Sequence, residues 1–121
     1  MQEIFRKYDL RGIVGEQFHV HDSYQITQAI ISLFKKKLPN IKNIAVGMDG
    51  RTTSTAIKTE VCNAILDADI NAHFIGVCPT PTMYFACNTM NVDAGIMITA
   101  SHNPKEYNGF KLVLQKESVW G

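Results

Sequence analysis

Ser101 and His102 are neighbours in a short polar segment, Thr99–Pro104, that follows an apolar run. A serine hydroxyl becomes an effective nucleophile when a neighbouring base takes its proton. A phosphorylated serine would instead carry roughly −1.5 to −2 charges and three strong acceptor oxygens, which suit nearby cations and N–H groups. Lys111, on the next apolar run, is a candidate partner for either form. These residue types predict nucleophilic or phosphoryl-carrying chemistry at Ser101, with ordinary turn residues as the competing interpretation.

The apolar runs on either side of this segment predict two strands, over residues 92–99 and 110–115. The Asn108-Gly109 pair between them predicts a tight turn, and the short connection predicts an antiparallel pair. Ser101 then lies on a loop at the carboxyl end of a core strand. Open α/β sheets place their ligands at such loops.

Helix and strand patterns alternate along the rest of the chain. Asp22 is predicted to cap the first helix, with Gln25 completing a capping box, and Ser54 is predicted to cap the second. The alternation predicts an α/β fold: a three-layer domain with a mixed, mostly parallel sheet flanked by helices. The predicted elements are a strand over 2–6 leading into a loop over 8–12, a helix over about 23–38 with the apolar stripe Ile26, Ala29, Ile30, Leu33 and Phe34, a strand over 43–48, a helix after Ser54 with the stripe Ile57, Val61, Ala64, Ile65 and Ala68, a strand over 72–77 and a helix over about 81–90.

Charged residues also follow the first two predicted strands. Arg11 is placed to clamp a phosphate through two hydrogen bonds, although a surface pairing with Asp9 would explain it as well. Asp49 and Arg51 come between a strand and a helix N-terminus, a natural position for an anion. Pro79-Thr80-Pro81 is most simply a rigid strand-to-helix turn.

Four segments, in this order, resemble the signature segments of the α-D-phosphohexomutase family. The resemblance spans nearly the whole chain, and the serine segment is its most specific part. The matching segments are Tyr8-Asp9-Leu10-Arg11-Gly12, Gly47-Met48-Asp49-Gly50-Arg51-Thr52-Thr53-Ser54, Gly76-Val77-Cys78-Pro79-Thr80-Pro81, and Thr99-Ala100-Ser101-His102-Asn103-Pro104 followed by Tyr107-Asn108-Gly109-Phe110-Lys111.

The resemblance implies a phosphomannomutase or phosphoglucomutase activity, which interconverts hexose 6-phosphates and 1-phosphates through a bisphosphorylated sugar. A phosphoserine at Ser101 would pass its phosphoryl group to the sugar phosphate and take the other one back. Asp49 and Arg51 are then expected mainly to brace their loop. The implied catalytic residues are Ser101, His102, Lys111 and Arg11, and the implied substrate- or loop-supporting residues are Tyr8, Asn103, Tyr107 and Asn108.

The family also implies Mg²⁺ and further domains. In the family, Mg²⁺ lies between the phosphoserine and an Asp-Gly-Asp-x-Asp loop, and this chain has no such run. The expected metal ligand here is Ser101, through its phosphate, with the other ligands in a missing domain. Residues 1–121 are therefore expected to be a truncated first domain of four, inactive alone, with a hexose 1,6-bisphosphate as activator and the downstream domains as partners.

Composition limits the other function classes. The 121 residues, 45% hydrophobic and 19% charged, predict one globular domain. A net charge of +1 predicts no nucleic-acid partner. Neither a secretory signal nor a long apolar stretch is present, and Cys62, Cys78 and Cys87 are widely spaced. We therefore expect no membrane association, reduced thiols and a cytoplasmic location.

Two other functions remain open from the sequence. A non-catalytic module could bind phosphorylated ligands or a partner chain through the same loop. A nucleotide-binding α/β domain is less well supported, because the chain lacks both glycine-rich phosphate-binding motifs. His19 and His21 alone do not make a metal site.

Overall fold

The structure is a computed structural model that describes residues 5–13, 19–50, 53–99 and 107–115 of the 121-residue chain. Strands and helices alternate through these ranges until a final pair of strands, and no helix in them is long and apolar enough to cross a membrane. The elements are β1 (Phe5–Ile13), α1 (Asp22–Lys37), β2 (Asn43–Met48), α2 (Ser54–Asp67), β3 (Asn71–Val77), α3 (Thr80–Thr89), β4 (Ala94–Ile98) and β5 (Tyr107–Gln115).

The described strands form one five-stranded sheet in the order β1-β5-β4-β2-β3. β2 pairs in parallel with both β3 and β4, whereas β5 pairs antiparallel with both β4 and β1. Among the described strands, β5 therefore runs against the shared direction of the other four. The predictions of a mixed, mostly parallel sheet and of an antiparallel last pair are both confirmed.

Alternate residues of the central strands face two separate helix layers. Ile44 and Ile96 belong to a large apolar cluster that also contains residues of α1 and α2. Ala45 and Met97, their chain neighbours, belong to a smaller cluster with Met83 of α3. Because successive strand residues point to opposite faces, the sheet is covered on both sides. The predicted three-layer α/β arrangement is confirmed.

The predicted apolar stripe of α2 is buried or half-buried, but that of α1 is only partly correct. Ile30 and Phe34 are buried as predicted, whereas Ala29 and Leu33 are exposed and Ile31 is buried in their place. α1 packs against α2, and its buried residues also belong to the apolar cluster that contains strand residues. This second neighbour widens the buried face of α1 in a direction that the helical spacing alone does not reveal.

Both predicted helix caps are wrong by one residue. His21 is the N-cap of α1, and Asp22 is its first residue, whose carboxylate accepts a hydrogen bond from the His19 backbone N–H at 2.9 Å. Thr53 is the N-cap of α2, and the side chain of Ser54 points elsewhere. Neither N-cap makes a side-chain capping bond, so other contacts fix where these helices begin.

The loop predicted over residues 8–12 is a strand, and so is the turn predicted at Asn108-Gly109. β1 pairs with β5 over nine positions, from Phe5 opposite Gln115 to Ile13 opposite Tyr107. This ladder joins segments about a hundred residues apart, so its hydrogen bonds override the local turn preference of Asn-Gly. Of the strand predicted over 2–6, residues 2–4 lie outside the described residues.

Candidate active site

The carboxyl ends of β2 and β4 lie side by side at one edge of the sheet. Asp49 follows β2, Thr99 follows β4, and the Asp49 backbone N–H donates to the Ile98 carbonyl at 3.1 Å. From β2 the chain proceeds to β3 on one side, and from β4 it proceeds to β5 on the other. Adjacent strands whose connections depart in opposite directions form the crevice where α/β sheets bind ligands.

The Asp49 carboxylate joins three elements at this crevice. Its Oδ1 accepts a hydrogen bond from Ser54 Oγ at 2.9 Å, and its Oδ2 accepts one from Thr99 Oγ1 at 2.7 Å. Ser54 is fully buried and Thr99 is 3% exposed. Hydrogen bonds to an ionised acceptor are among the strong ones in proteins. This geometry supports the bracing role that the family resemblance implied for Asp49, while Arg51 lies outside the described residues.

The segment that carries Ser101 is fixed where it leaves the sheet. The Thr99 backbone N–H donates to the Gly109 carbonyl at 2.9 Å, which continues the β4–β5 ladder by one position. Ser101 is the second residue after Thr99. The predicted residues Ser101, His102 and Asn103 themselves lie outside the described residues.

The other predicted site residues are placed on β1 and β5. Arg11 lies opposite Gly109, so the backbones of Arg11, Gly109 and Thr99 form one row across three adjacent strands. Lys111, whose side chain is half-buried, lies opposite Met97 on β4 and opposite Asp9 on β1. The row places the Arg11 backbone at the same edge of the sheet as Thr99, the last described residue before Ser101. Tyr8 is opposite Leu112, Tyr107 is opposite Ile13 and Asn108 is opposite Gly12.

The sequence reasoning missed two contacts of Asp49. It placed Thr99 at the end of a strand and Ser54 at a helix cap, both within segments that resemble the family, but it assigned neither residue a contact with Asp49. Both donate side-chain hydrogen bonds to Asp49. The Asp49–Ser54 spacing between a strand and a helix was a usable signal, because a short polar turn keeps such side chains close. The Asp49–Thr99 contact joins two strands and had no local signal.

The cysteines are unsuited to nucleophilic chemistry at this edge. Cys78 follows β3, and its backbone N–H donates to the Met48 carbonyl at 2.9 Å. Burial raises the pKa of the Cys78 thiol above its ordinary value, and burial raises that of Cys87 to about 12. A thiol with a raised pKa holds little thiolate near neutral pH. All three cysteines are free, as the sequence predicted.

Metal-binding side chains do not cluster within the described ranges. No group of three or more His, Cys, Asp or Glu residues there is arranged to hold a metal ion. His19 and His21 stack their rings at 5.4 Å between centroids. The described residues therefore do not fit a protein-only Mg²⁺ site, which requires several oxygen ligands.

The chain is similar to known proteins over nearly its whole length. A sequence model of the family described as "Phosphoglucomutase/phosphomannomutase, alpha/beta/alpha domain I" matches residues 2–118. A phosphomannomutase/phosphoglucomutase of Pseudomonas putida is 36% identical over 116 residues, which are 96% of this chain and 25% of that protein. A phosphomannomutase of Vibrio cholerae is 42% identical over 109 residues, covering 90% of this chain and 24% of its own length.

A third relative is similar to the chain in sequence, and a solved structure is similar to it in fold. A phosphoglucomutase of Neisseria meningitidis serogroup B is 38% identical over 120 residues, covering 99% of this chain and 26% of that protein. The crystal structure of a phosphoglucomutase/phosphomannomutase family protein from Burkholderia thailandensis has a TM-score of 0.78 at 30% identity and covers 88% of this chain and 25% of that one. The chain thus spans about a quarter of the length of the curated relatives it matches.

Proposed function

The chain belongs to the phosphoglucomutase/phosphomannomutase family as its α/β/α domain I, and from that membership we propose that it is the phosphoserine-bearing domain of a phosphohexomutase. The complete enzyme would be an isomerase that interconverts hexose 6-phosphates and hexose 1-phosphates. The observation that carries this proposal is made at Thr99, because Asp49 holds the Thr99 hydroxyl at the carboxyl edge of the sheet. Ser101 follows Thr99 by two residues in the sequence.

The proposed reaction consists of two phosphoryl transfers. In the first, the bond between phosphorus and Ser101 Oγ breaks while a free hydroxyl of the hexose monophosphate forms a new bond to phosphorus. The hydroxyl proton passes to a neighbouring base. In the second transfer, the other phosphate of the bisphosphorylated sugar returns to Ser101 Oγ. Phosphoryl transfer of this kind depends chiefly on positioning and on charge stabilisation.

The predicted site residues would fill three proposed roles. Lys111 and Arg11 would stabilise phosphate charge, and His102 or Lys111 would accept and return protons. The register of β1 and β5 supports this assignment, because it places the backbone of Arg11 in one row with Gly109 and Thr99. Tyr8, Asn103, Tyr107 and Asn108 would support the loop or the substrate.

A bound Mg²⁺ would supply charge neutralisation at the phosphoserine. Within this chain we propose one ligand, the phosphate on Ser101. The remaining carboxylates would come from outside these residues, because the sequence contains no Asp-Gly-Asp-x-Asp run. A hexose 1,6-bisphosphate would act as the activator by phosphorylating Ser101. We also propose a cytoplasmic location, where free thiols such as those of the three cysteines are the rule.

Phosphate mapping on the full-length protein tests the proposal. After incubation with glucose 1,6-bisphosphate, mass spectrometry should find phosphate on Ser101. Ser101→Ala should abolish turnover with the fold intact, because a loop serine contributes little to a core. Phosphate on another residue, with Ser101 unmodified, would contradict the assignment. Binding of hexose phosphate without any phosphorylation would instead favour a non-catalytic binding module.

A further inference from the structure

We propose that Asp49 is a positioning residue for phosphoryl transfer, which acts by holding Thr99 and thereby the start of the serine-bearing segment. Its effect on the reaction rests on the proposed function. The clamp itself, defined as the Asp49 carboxylate with Ser54 and Thr99, does not.

The two oxygens of this carboxylate serve different parts of the fold. Oδ1 accepts from Ser54 at the start of α2, whereas Oδ2 accepts from Thr99 at the end of β4. The Asp49 backbone adds a third link, since its N–H donates to the Ile98 carbonyl at 3.1 Å. Asp49 therefore ties the end of β2 both to the helix that follows it and to the neighbouring strand end.

A carboxylate suits this position for a chemical reason. An ionised carboxylate only accepts hydrogen bonds, so both hydroxyl protons must point toward Asp49. Ser54 and Thr99 are both buried, which limits competition from water for those protons. The hydrogen bond to Asp49 therefore fixes the orientation of the Thr99 side chain.

The clamp lies close enough to matter for the reaction. Ser101 is two residues beyond Thr99, and two extended residues span at most about 7 Å. Ser101 therefore lies within that distance of Thr99, and the proposal is that a displacement of Thr99 also displaces Ser101. Misplacing a reacting group by about 1 Å can cost about 100-fold in rate.

Removing the Thr99 hydroxyl tests the proposal kinetically in the full-length protein. Thr99→Val should lower kcat by about 10- to 100-fold with little change in KM, because alignment rather than substrate affinity is lost. Thr99→Ser, which keeps the donor, should restore most of the rate. Thr27→Val is the matched control, because Thr27 is also buried and its hydroxyl donates to the Ser23 carbonyl at 2.7 Å, in α1. A Thr99→Val enzyme with wild-type kcat, or a Thr99→Ser enzyme as slow as Thr99→Val, would overturn the proposal.

Amide hydrogen exchange of the 121-residue chain tests the clamp without any catalysis. The backbone amides at positions 49 and 99, both hydrogen-bonded in the wild type, should exchange at least about 10-fold faster in Thr99→Val and in Asp49→Ala than in wild type or Thr27→Val, because local opening becomes easier. Unchanged exchange at both amides would overturn the clamp. Fast exchange combined with a wild-type protein that performs no phosphoryl transfer would support the clamp and refute the proposed function alone.

Discussion

Gly95 of β4 lies so close to Met83 of α3 that a β-carbon built on the glycine would meet the Met83 sulfur at 2.6 Å. The same β-carbon would meet the Cys87 sulfur at 2.7 Å. Real β-carbons do not approach other atoms this closely, so α3 packs on the sheet at this distance because residue 95 is glycine. This contact sets the distance between the sheet and the layer that contains α3.

Gly95→Ala should destabilise the chain by about 1–3 kcal/mol, the usual cost of overpacking a well-packed core. Adding Cys87→Ala should recover part of this loss, because one of the two obstructing sulfur atoms is then absent. Chemical denaturation measures both effects. Gly50→Ala is the control, because a β-carbon there meets nothing within 4 Å. Equal stability of Gly95→Ala and Gly50→Ala would contradict the proposed packing.

The end of α2 provides a second stability prediction. Asp69 has φ 62° and follows the C-cap Ala68, and the Ile70 and Asp69 N–H groups donate to the Ile65 and Leu66 carbonyls. This is a Schellman motif, whose left-handed position favours glycine. Asp69→Gly should be about 1 kcal/mol more stable than Asp69→Ala, because alanine is strained there.

The exposed α2 residue Asn63 should show the opposite order. In a helix interior glycine costs about 1 kcal/mol relative to alanine, so Asn63→Ala should be the more stable variant of that pair. Thermal or denaturant unfolding of the four variants checks both orders. The same order at both positions would refute the conformational argument.

The buried thiol of Cys87 should make the chain less stable at alkaline pH. Burial raises its pKa from 9.0 to about 12, so the unfolded chain ionises this thiol first and unfolding becomes more favourable as pH rises. The stability that comes from keeping this thiol protonated is fully present below pH 9 and is lost between pH 9 and about 12. Over that range the free energy of unfolding should fall with a slope of up to about 1.4 kcal/mol per pH unit. Cys87→Ala should remove this part of the slope in denaturation curves measured from pH 8 to 11. An unchanged slope would show that the thiol titrates normally.

Sequence patterns predicted the central strands of the sheet well, but not the strand at its edge. β2 was predicted with its correct bounds because its apolar residues are consecutive and its partners lie on both sides. β1 was predicted too short, because its extension through Arg11 and Gly12 depends on pairing with β5, a distant segment. Long-range ladders stabilise residues whose local preferences favour a turn.

The candidate site divides in the same way. Asp49 was identified from the sequence because it follows a clear strand. Its contact with Thr99 was not predicted, because Thr99 lies at the end of another strand. Ser101, His102 and Asn103 remain sequence predictions. Contacts between strand ends depend on the order of strands in the sheet, which no local pattern specifies.

Lys111 should matter for turnover more than for stability. Its side chain is half-buried on β5, and Lys111→Met keeps most of its apolar length while removing the charge. In the full-length protein we expect kcat/KM to fall by about 100-fold or more, as for the loss of one charge-stabilising donor. Lys42→Met, at an exposed residue before β2, is the control. A loss of more than about 2 kcal/mol in stability with activity preserved would make Lys111 structural.

The isolated 121-residue chain should fold but should not isomerise hexose phosphates. Folding is expected because both faces of its sheet are already covered by its own helices. Catalysis is not expected under the proposed function, because a phosphoserine with roughly −1.5 to −2 charges would rely on Mg²⁺ whose other ligands we propose to lie outside these residues.

A coupled assay of the purified chain with glucose 1-phosphate or mannose 1-phosphate, Mg²⁺ and glucose 1,6-bisphosphate tests this expectation. Circular dichroism and a cooperative thermal transition provide the control that the chain is folded. If the folded chain turns over at about 1 s⁻¹ or faster, within the range of ordinary enzymes, then these residues contain a complete active site. In that case the proposal that the remaining Mg²⁺ ligands lie outside the chain is wrong.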